Sequence, residues 1–273
     1  VPAAAAAAEG LGALAGFFAA AVAWESACHR SVMRLVAQLL ENEVIPRATI
    51  ADRFATSASS IAGWSLHGAA AAWGWLSLAR QLCDPKAYGL GDHLVQAGCI
   101  RVAAGLMEQH PGDASVQLKG VEAMSSIIGN RVAGLDAFAE VEGIKLIESA
   151  MQTHPEDTTL QTKGLKALSC GIQWPQDLQE KAGYTYTRAV DLTKQAMARH
   201  GDSAELQAEA LSALAGYLDK LHCAEEIKTS GGEGLVKAMM TRHSHVHSVM
   251  TWGKIVLDGM GSDRHWQPRA TLA

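Results

Sequence analysis

The sequence predicts an all-α fold in which about four helical repeats stack as a solenoid behind an N-terminal helical extension. Three observations predict it. Hydrophobic residues make up 48% of the chain while aromatics reach 5%, so alanine carries much of the apolar content, and only 7 prolines interrupt it; that composition favours helix. A Met-x-x-His signature recurs at Met107, Met151, Met197 and Met240, with spacings of 44, 46 and 43 residues, which marks a repeat architecture. On both sides of each signature the apolar residues recur at helical spacing.

The first element is the extension, residues 1–90, which does not follow the repeat positions. Gly10 to Trp24 is apolar and alanine-rich, and Glu9 is the single charge in residues 1–24. Fifteen residues make about 22 Å of helix against a hydrocarbon core of roughly 30 Å, so a span over 8–24 must draw in residues before it. The second membrane candidate is 61–79, nineteen residues without a formal charge, containing Trp64, Trp73 and Trp75 and followed by Arg80. His67 and the small residues Gly68 to Ala72 weaken it as a span. The alternative for both stretches is a pair of buried helices in an atypical cap. Between them the sequence reads as helix around Ser31 to Leu40, a turn near Pro46 and a polar stretch.

Residues 91–260 hold the repeats. Six residues after each signature histidine stands Val116, Leu160, Leu206 or Val249; ten after it, Gly120, Gly164, Ala210 or Gly253. Fourteen after it comes Met124, Leu168, Leu214 or Leu257, and five before each methionine Val102, Leu146, Leu192 or Leu235. These positions describe two helices joined by a short linker. In the linkers His110-Pro111-Gly112-Asp113 and His154-Pro155-Glu156-Asp157 the proline stops the first helix and the aspartate caps the second. The small residue ten after the histidine lets the two helices approach closely. Each pair leaves an apolar face that only a neighbouring pair covers. The chain then closes on 261–273, an irregular tail containing Pro268.

These residues resemble the armadillo repeat. Gly143-Ile144-Lys145-Leu146-Ile147 is similar to the start of that family's second helix, and Val116-Gln117 through Ala123-Met124 and Leu160-Gln161 through Ala167-Leu168 to its third. The resemblance covers about residues 90–260 and implies a right-handed superhelix of three-helix units. Members that carry nuclear import cargo hold an extended basic peptide with a Trp and an Asn on the third helix. The Trp position here holds Glu122, Lys166, Ser212 and Ile255, and the Asn position Ser126, Cys170, Gly216 and Gly259. The peptide-clamping ladder is absent, which argues against an import receptor. Glu122, Ser126, Lys166, Cys170 and Ser212 are then the residues that a partner in the groove would meet.

Other chemistry-bearing groups read as structural. His243 and His247 share a helical face and are spaced to grip a metal, but no carboxylate or cysteine stands at matching spacing, so the cluster reads as a polar turn. His110, His154 and His200 each end a helix, where a hydrogen-bonding side chain suits the helix dipole and the unpaired carbonyls. Gly231-Gly232-Glu233-Gly234 lacks the strand and the Lys-Ser/Thr of a phosphate loop. Asp136, Glu140 and Glu142 form an acidic segment between helices that faces water. Cysteines 28, 83, 99, 170 and 223 are odd in number and form no C-x-x-C pair, which argues against a disulfide framework or a zinc site.

The function expected from these features is a non-catalytic scaffold with no cofactor, no metal and no small-molecule substrate. A net charge of −5 without a basic cluster gives no footprint for nucleic acid. The first expectation is an accessory structural subunit of a large organellar membrane complex, mitochondrial or plastid. Its N-terminal helices would attach it to the other subunits, with Trp64, Trp73 and Trp75 as membrane or subunit contacts. The start at Val1 fits a processed or truncated product. The alternative is a soluble, cytoplasmic adaptor that binds a protein or peptide on its concave face, with residues 1–90 as a folded cap.

Overall fold

The computed structural model describes residues 36–38, 40, 46–61, 68–84, 86, 88–128, 132–171, 186–221 and 223–261. Among the described residues the regular structure is helical, without a strand. The chain forms two compact units, Val1–Gly143 and Ile144–Ala273.

In the first unit α1 (Arg47–Ile61) precedes α2 (Gly68–Leu82). Pro46 stands just ahead of α1, where its fixed φ costs no hydrogen bond. The sequence leaves this region as a polar stretch. The structure instead makes it a helix that buries Ile50, Ala51, Phe54 and Ser57, which lie at i, i+1, i+4 and i+7 on one face. The short α3 (Gly91–Gln96) follows, then α4 (Cys99–Gln109), α5 (Ala114–Ile128) and α6 (Val132–Glu140). Helix α4 pairs with α5, and α2 packs along α5 on another side.

That last contact changes the reading of the N-terminal region. The buried pairs Ala71/Ala72, Gly74/Trp75 and Leu78/Ala79 of α2 have the same spacing as Gly120/Val121, Ala123/Met124 and Ile127/Ile128 of α5. Helix α2 thus packs on α5 with a buried pattern like that of α5 itself, although no Met-x-x-His precedes it. Its 15 residues make about 22 Å of helix, and among the described residues no helix is long and apolar enough to cross a membrane. The candidate span 8–24, the residue Trp64 and the tail 262–273 lie outside the described residues.

The second unit holds α7 (Gly143–Thr153), α8 (Thr158–Gly171), α9 (Tyr186–Arg199), α10 (Ala204–Leu221), α11 (Ala224–Thr229), α12 (Gly232–Arg242) and α13 (His247–Gly259). Helices α9 and α10 pair, as do α12 and α13, and α10 packs along both α8 and α13. The turns into α4, α7 and α12 each use a left-handed residue. Gly98 (φ 78°) and Gly231 (φ 80°) supply it ahead of α4 and α12, and Glu142 (φ 49°) occupies the same place ahead of α7. A Cβ on the adjacent Gly232 would lie 2.6 Å from the Ile227 carbonyl oxygen, so both glycines are there for the turn.

Candidate functional site

Three groups fasten a helix that carries the Met-x-x-His signature to the helix that follows it. The signature methionines Met107, Met151, Met197 and Met240 are all buried, and three of them seat on a glycine. A Cβ on Gly164 would lie 2.5 Å from Met151 Sδ, and Gly120 and Gly253 are covered in the same way by Met107 and Met240. Asp113 Oδ1 accepts hydrogen bonds from the backbone N–H of Ser115 at 3.0 Å and Val116 at 3.1 Å, and Asp157 Oδ1 from that of Leu160 at 2.9 Å. The Ser115 hydroxyl, which also donates to Asp113, is the main cause that holds the Asp113 carboxyl below its usual range. Ser203 serves the next unit, its hydroxyl accepting from Leu206 N–H at 3.3 Å.

The third fastening is a buried glutamine seven residues after the histidine. Gln117 Nε2 donates to the carbonyls of Met107 (2.8 Å) and His110 (2.9 Å). Gln161 does so to Met151 (2.7 Å) and His154 (3.1 Å), and Gln207 to Met197 (2.9 Å) and His200 (3.1 Å). These are the carbonyls that a helix C-terminus leaves unpaired. Sequence reasoning assigned that task to the histidines. The recurrence of Gln at one position in three units was the available signal.

Two of the histidines, His200 and His243, reach outward to an earlier turn instead. His200 Nε2 bonds the Pro155 carbonyl at 2.8 Å and its Nδ1 meets Thr158 Oγ1 at 3.0 Å. His243 Nε2 bonds the Gly201 carbonyl at 2.7 Å and is buried. The residue before each of these two adds an ion pair to the same preceding turn, Arg199 with Glu156 at 3.1 Å and Arg242 with Asp202. One ring nitrogen of His243 is thereby committed to the backbone, and His247 Nε2 lies 3.4 Å from Thr251 Oγ1. Among the described residues no group of three or more His, Cys, Asp and Glu side chains is placed to hold a metal ion.

Helix α9 also crosses to α7 through Arg188, whose Nε lies 2.9 Å from Glu148. Glu148 is 1% exposed and neither of its oxygens makes a geometrically sound hydrogen bond, so proximity to the guanidinium is its main compensation. Burial holds its carboxyl above the usual range, with Arg188 and then Lys145 opposing.

The residues expected to meet a partner are distributed as follows. On α5, Glu122 is half-buried and bridges Lys119 at 2.7 Å and Arg80 of α2 at 3.9 Å, and Ser126 is half-buried. Lys166 and Cys170 are exposed on α8, and Ser212 is half-buried on α10. Trp75 is enclosed: its ring stacks on Phe54 at 4.6 Å, and its Nε1 donates to the Phe54 carbonyl at 3.2 Å. It presents no face to a membrane or another subunit, which corrects that part of the expectation. Trp73 is 37% exposed and lies under the Lys119 ammonium at 5.9 Å. By the spacing of the buried pairs Trp73 matches Glu122, which stands twelve residues after its signature histidine as Ile255 does, and Trp73 and Ile255 are the two large apolar side chains exposed among the described residues. Cys83, Cys99 and Cys223 are buried and Cys170 is exposed, none of them in a disulfide, while Cys28 lies outside the described residues.

Compared with known proteins, the chain matches no family model, no curated protein and no solved structure.

Proposed function

We propose that the chain is a non-catalytic scaffold, a right-handed, armadillo-like α-solenoid that binds a protein or peptide along the exposed face of its third helices. The observation that carries this reading is where the recurring polar side chains are spent. Asp113 and Asp157, Gln117, Gln161 and Gln207, and His200 and His243 all bond backbone groups. For these residues the recurrence is accounted for by cohesion. The residues left facing outward on the third helices, Lys166, Cys170 and Ile255 with Trp73, differ from unit to unit, as a surface that recognises one particular partner requires.

The enclosure of Trp75 and the packing of α2 along α5 favour the adaptor over the membrane-attached accessory subunit. The accessory-subunit reading rests on the apolar stretch Gly10 to Trp24. Cell fractionation with a carbonate wash, followed by a native gel and mass spectrometry of the band, separates the two. The adaptor predicts release into the soluble fraction with a protein partner in the same band. Retention in a large membrane complex after the wash overturns the adaptor in favour of the subunit, and a lone monomer in every fraction contradicts both.

A further inference from the structure

In the second unit α8, α10 and α13 each follow a Met-x-x-His signature, and α10 packs along both of the others. On these helices the residues seven and ten after the histidine are spent on the helix before: Gln161 and Gln207 close its carbonyls, and Gly164 and Gly253 seat its methionine. At about 100° per residue, the positions nine and twelve after the histidine turn away from that helix and share one outward stripe with the fifth. The stripe carries a different chemistry on each helix. On α8 it holds Thr159, Lys163 and Lys166, with cations and no anion; on α10 Glu205, Glu209 and Ser212, with anions and no cation; on α13 Ser248, Trp252 and Ile255, with no charge. All of these are exposed or half-buried.

The Cys170 thiol, one turn past Lys166, is pushed up mainly by burial, with Lys166 opposing and Glu209 of α10 reinforcing, so the stripes of α8 and α10 lie within electrostatic reach of each other. Among the described residues none of Lys163, Lys166, Glu205 and Glu209 is in an ion pair with an opposite charge. A cationic band beside an anionic one selects a partner of the complementary order, because the exchanged order sets like charges together. Trp252 and Ile255 then offer an apolar anchor beside the anionic band. Packed helices stand about 8–10 Å apart, and an extended chain advances about 3.3 Å per residue, so successive stripes meet side chains about three residues apart. We propose that this stripe takes an extended peptide carrying acidic, basic and apolar side chains in that order, about three residues apart. The acidic ones meet Lys163 and Lys166, the basic ones Glu205 and Glu209, and the apolar ones Trp252 and Ile255. The inference rests on the reading of this helix face as a binding surface and names the chemistry of what it binds.

The test is fluorescence anisotropy with a labelled Gly/Ser peptide carrying an Asp pair, an Arg pair three residues on and a Leu-Trp pair three residues further. Its control has the Asp and Arg pairs exchanged. The full chain should bind the first at least about tenfold more tightly at low salt. Reversing the charges of the stripe, Lys163→Glu and Lys166→Glu with Glu205→Lys and Glu209→Lys, should reverse the preference. Lys166→Glu with Glu205→Lys, both at exposed positions, repeats the comparison with less change to the packing. Equal affinity for the two peptides overturns the proposal, as does binding of neither, or a preference unmoved by charge reversal in a variant of wild-type helicity. Trp252→Ala with Ile255→Ala separates that failure from failure of the binding surface itself. If it abolishes a binding that does not discriminate between the peptides, the surface stands and only the order is refuted; if peptide binding is undiminished, the surface lies elsewhere and both readings fall.

Discussion

Replacing Gln161 with methionine removes two hydrogen bonds while keeping the side chain's length and volume. Met250 already stands at this position in the fourth unit, so the shape is compatible with the repeat. In the wild type Gln161 Nε2 bonds the Met151 carbonyl at 2.7 Å in a buried setting and the His154 carbonyl at 3.1 Å in a half-buried one. Orphaning a buried backbone acceptor costs about 1–3 kcal/mol, and the partly wet one about 1 kcal/mol, so the variant should lose about 2–4 kcal/mol. For a unit of this size each kcal/mol lowers Tm by about 2–4 °C. The assay is urea unfolding followed by helical circular dichroism, with the slope m compared between proteins so that a change in the midpoint reads as stability. The midpoint of the variant should fall with m unchanged. A loss below about 0.5 kcal/mol, within the range of a surface substitution, would refute the claim that these glutamines close the helix ends.

Three further outcomes follow from the geometry. Glu142→Gly should stabilise by about 0.5–1 kcal/mol, because the left-handed strain it relieves exceeds the entropy that glycine adds to the unfolded chain; Gly98→Ala, the reverse change at the matching turn, should destabilise, and equal effects would contradict the shared-turn account. Glu148 has a folded pKa raised by burial, so its contribution is complete below the unfolded carboxyl value of about 4.3 and is lost as pH rises through the folded value. Glu148→Gln should therefore match the wild type near pH 4 and exceed it in stability at pH 7; a variant weaker at neutral pH would show that the Arg188 pair outweighs desolvation. His243→Ala should cost about 1–3 kcal/mol by orphaning the Gly201 carbonyl, whereas Arg242→Ala, whose ion pair with Asp202 is solvent-exposed, should cost less than about 1 kcal/mol; thermal melts of the two variants decide it.

Local features were legible in the sequence because their causes are local. Asp113 and Asp157 sit one linker after a proline, so their capping role follows from spacing, and the small residue at Gly120 or Gly164 announced a close approach. What that glycine approaches, the signature methionine, was visible only once the helices were paired. The direction of the histidines was not legible, since His200 and His243 bond carbonyls 45 and 42 residues earlier and no local rule selects those acceptors. Helix α2 escaped the repeat because it carries Trp75 where the others have aliphatic residues and lacks the Met-x-x-His approach, although its buried pairs keep the spacing. Its lack of charge suggested a bilayer; the structure satisfies the same composition by packing it on α5. For the partner-facing residues, exposure of Lys166 and Cys170 came only with the fold, while Glu122 proved to be occupied by Lys119 and Arg80.

The central claim is that a protein partner is held on the third-helix face. The most direct measurement is a native gel of the complex formed by the chain and the partner identified with it, comparing wild type with Lys166→Glu combined with Ser212→Arg, two changes outside the helix-fastening groups. The account predicts that the variant keeps its circular dichroism and unfolding midpoint but no longer runs in the complex. A variant that remains in the complex at wild-type level would contradict it and move the binding surface off the third helices.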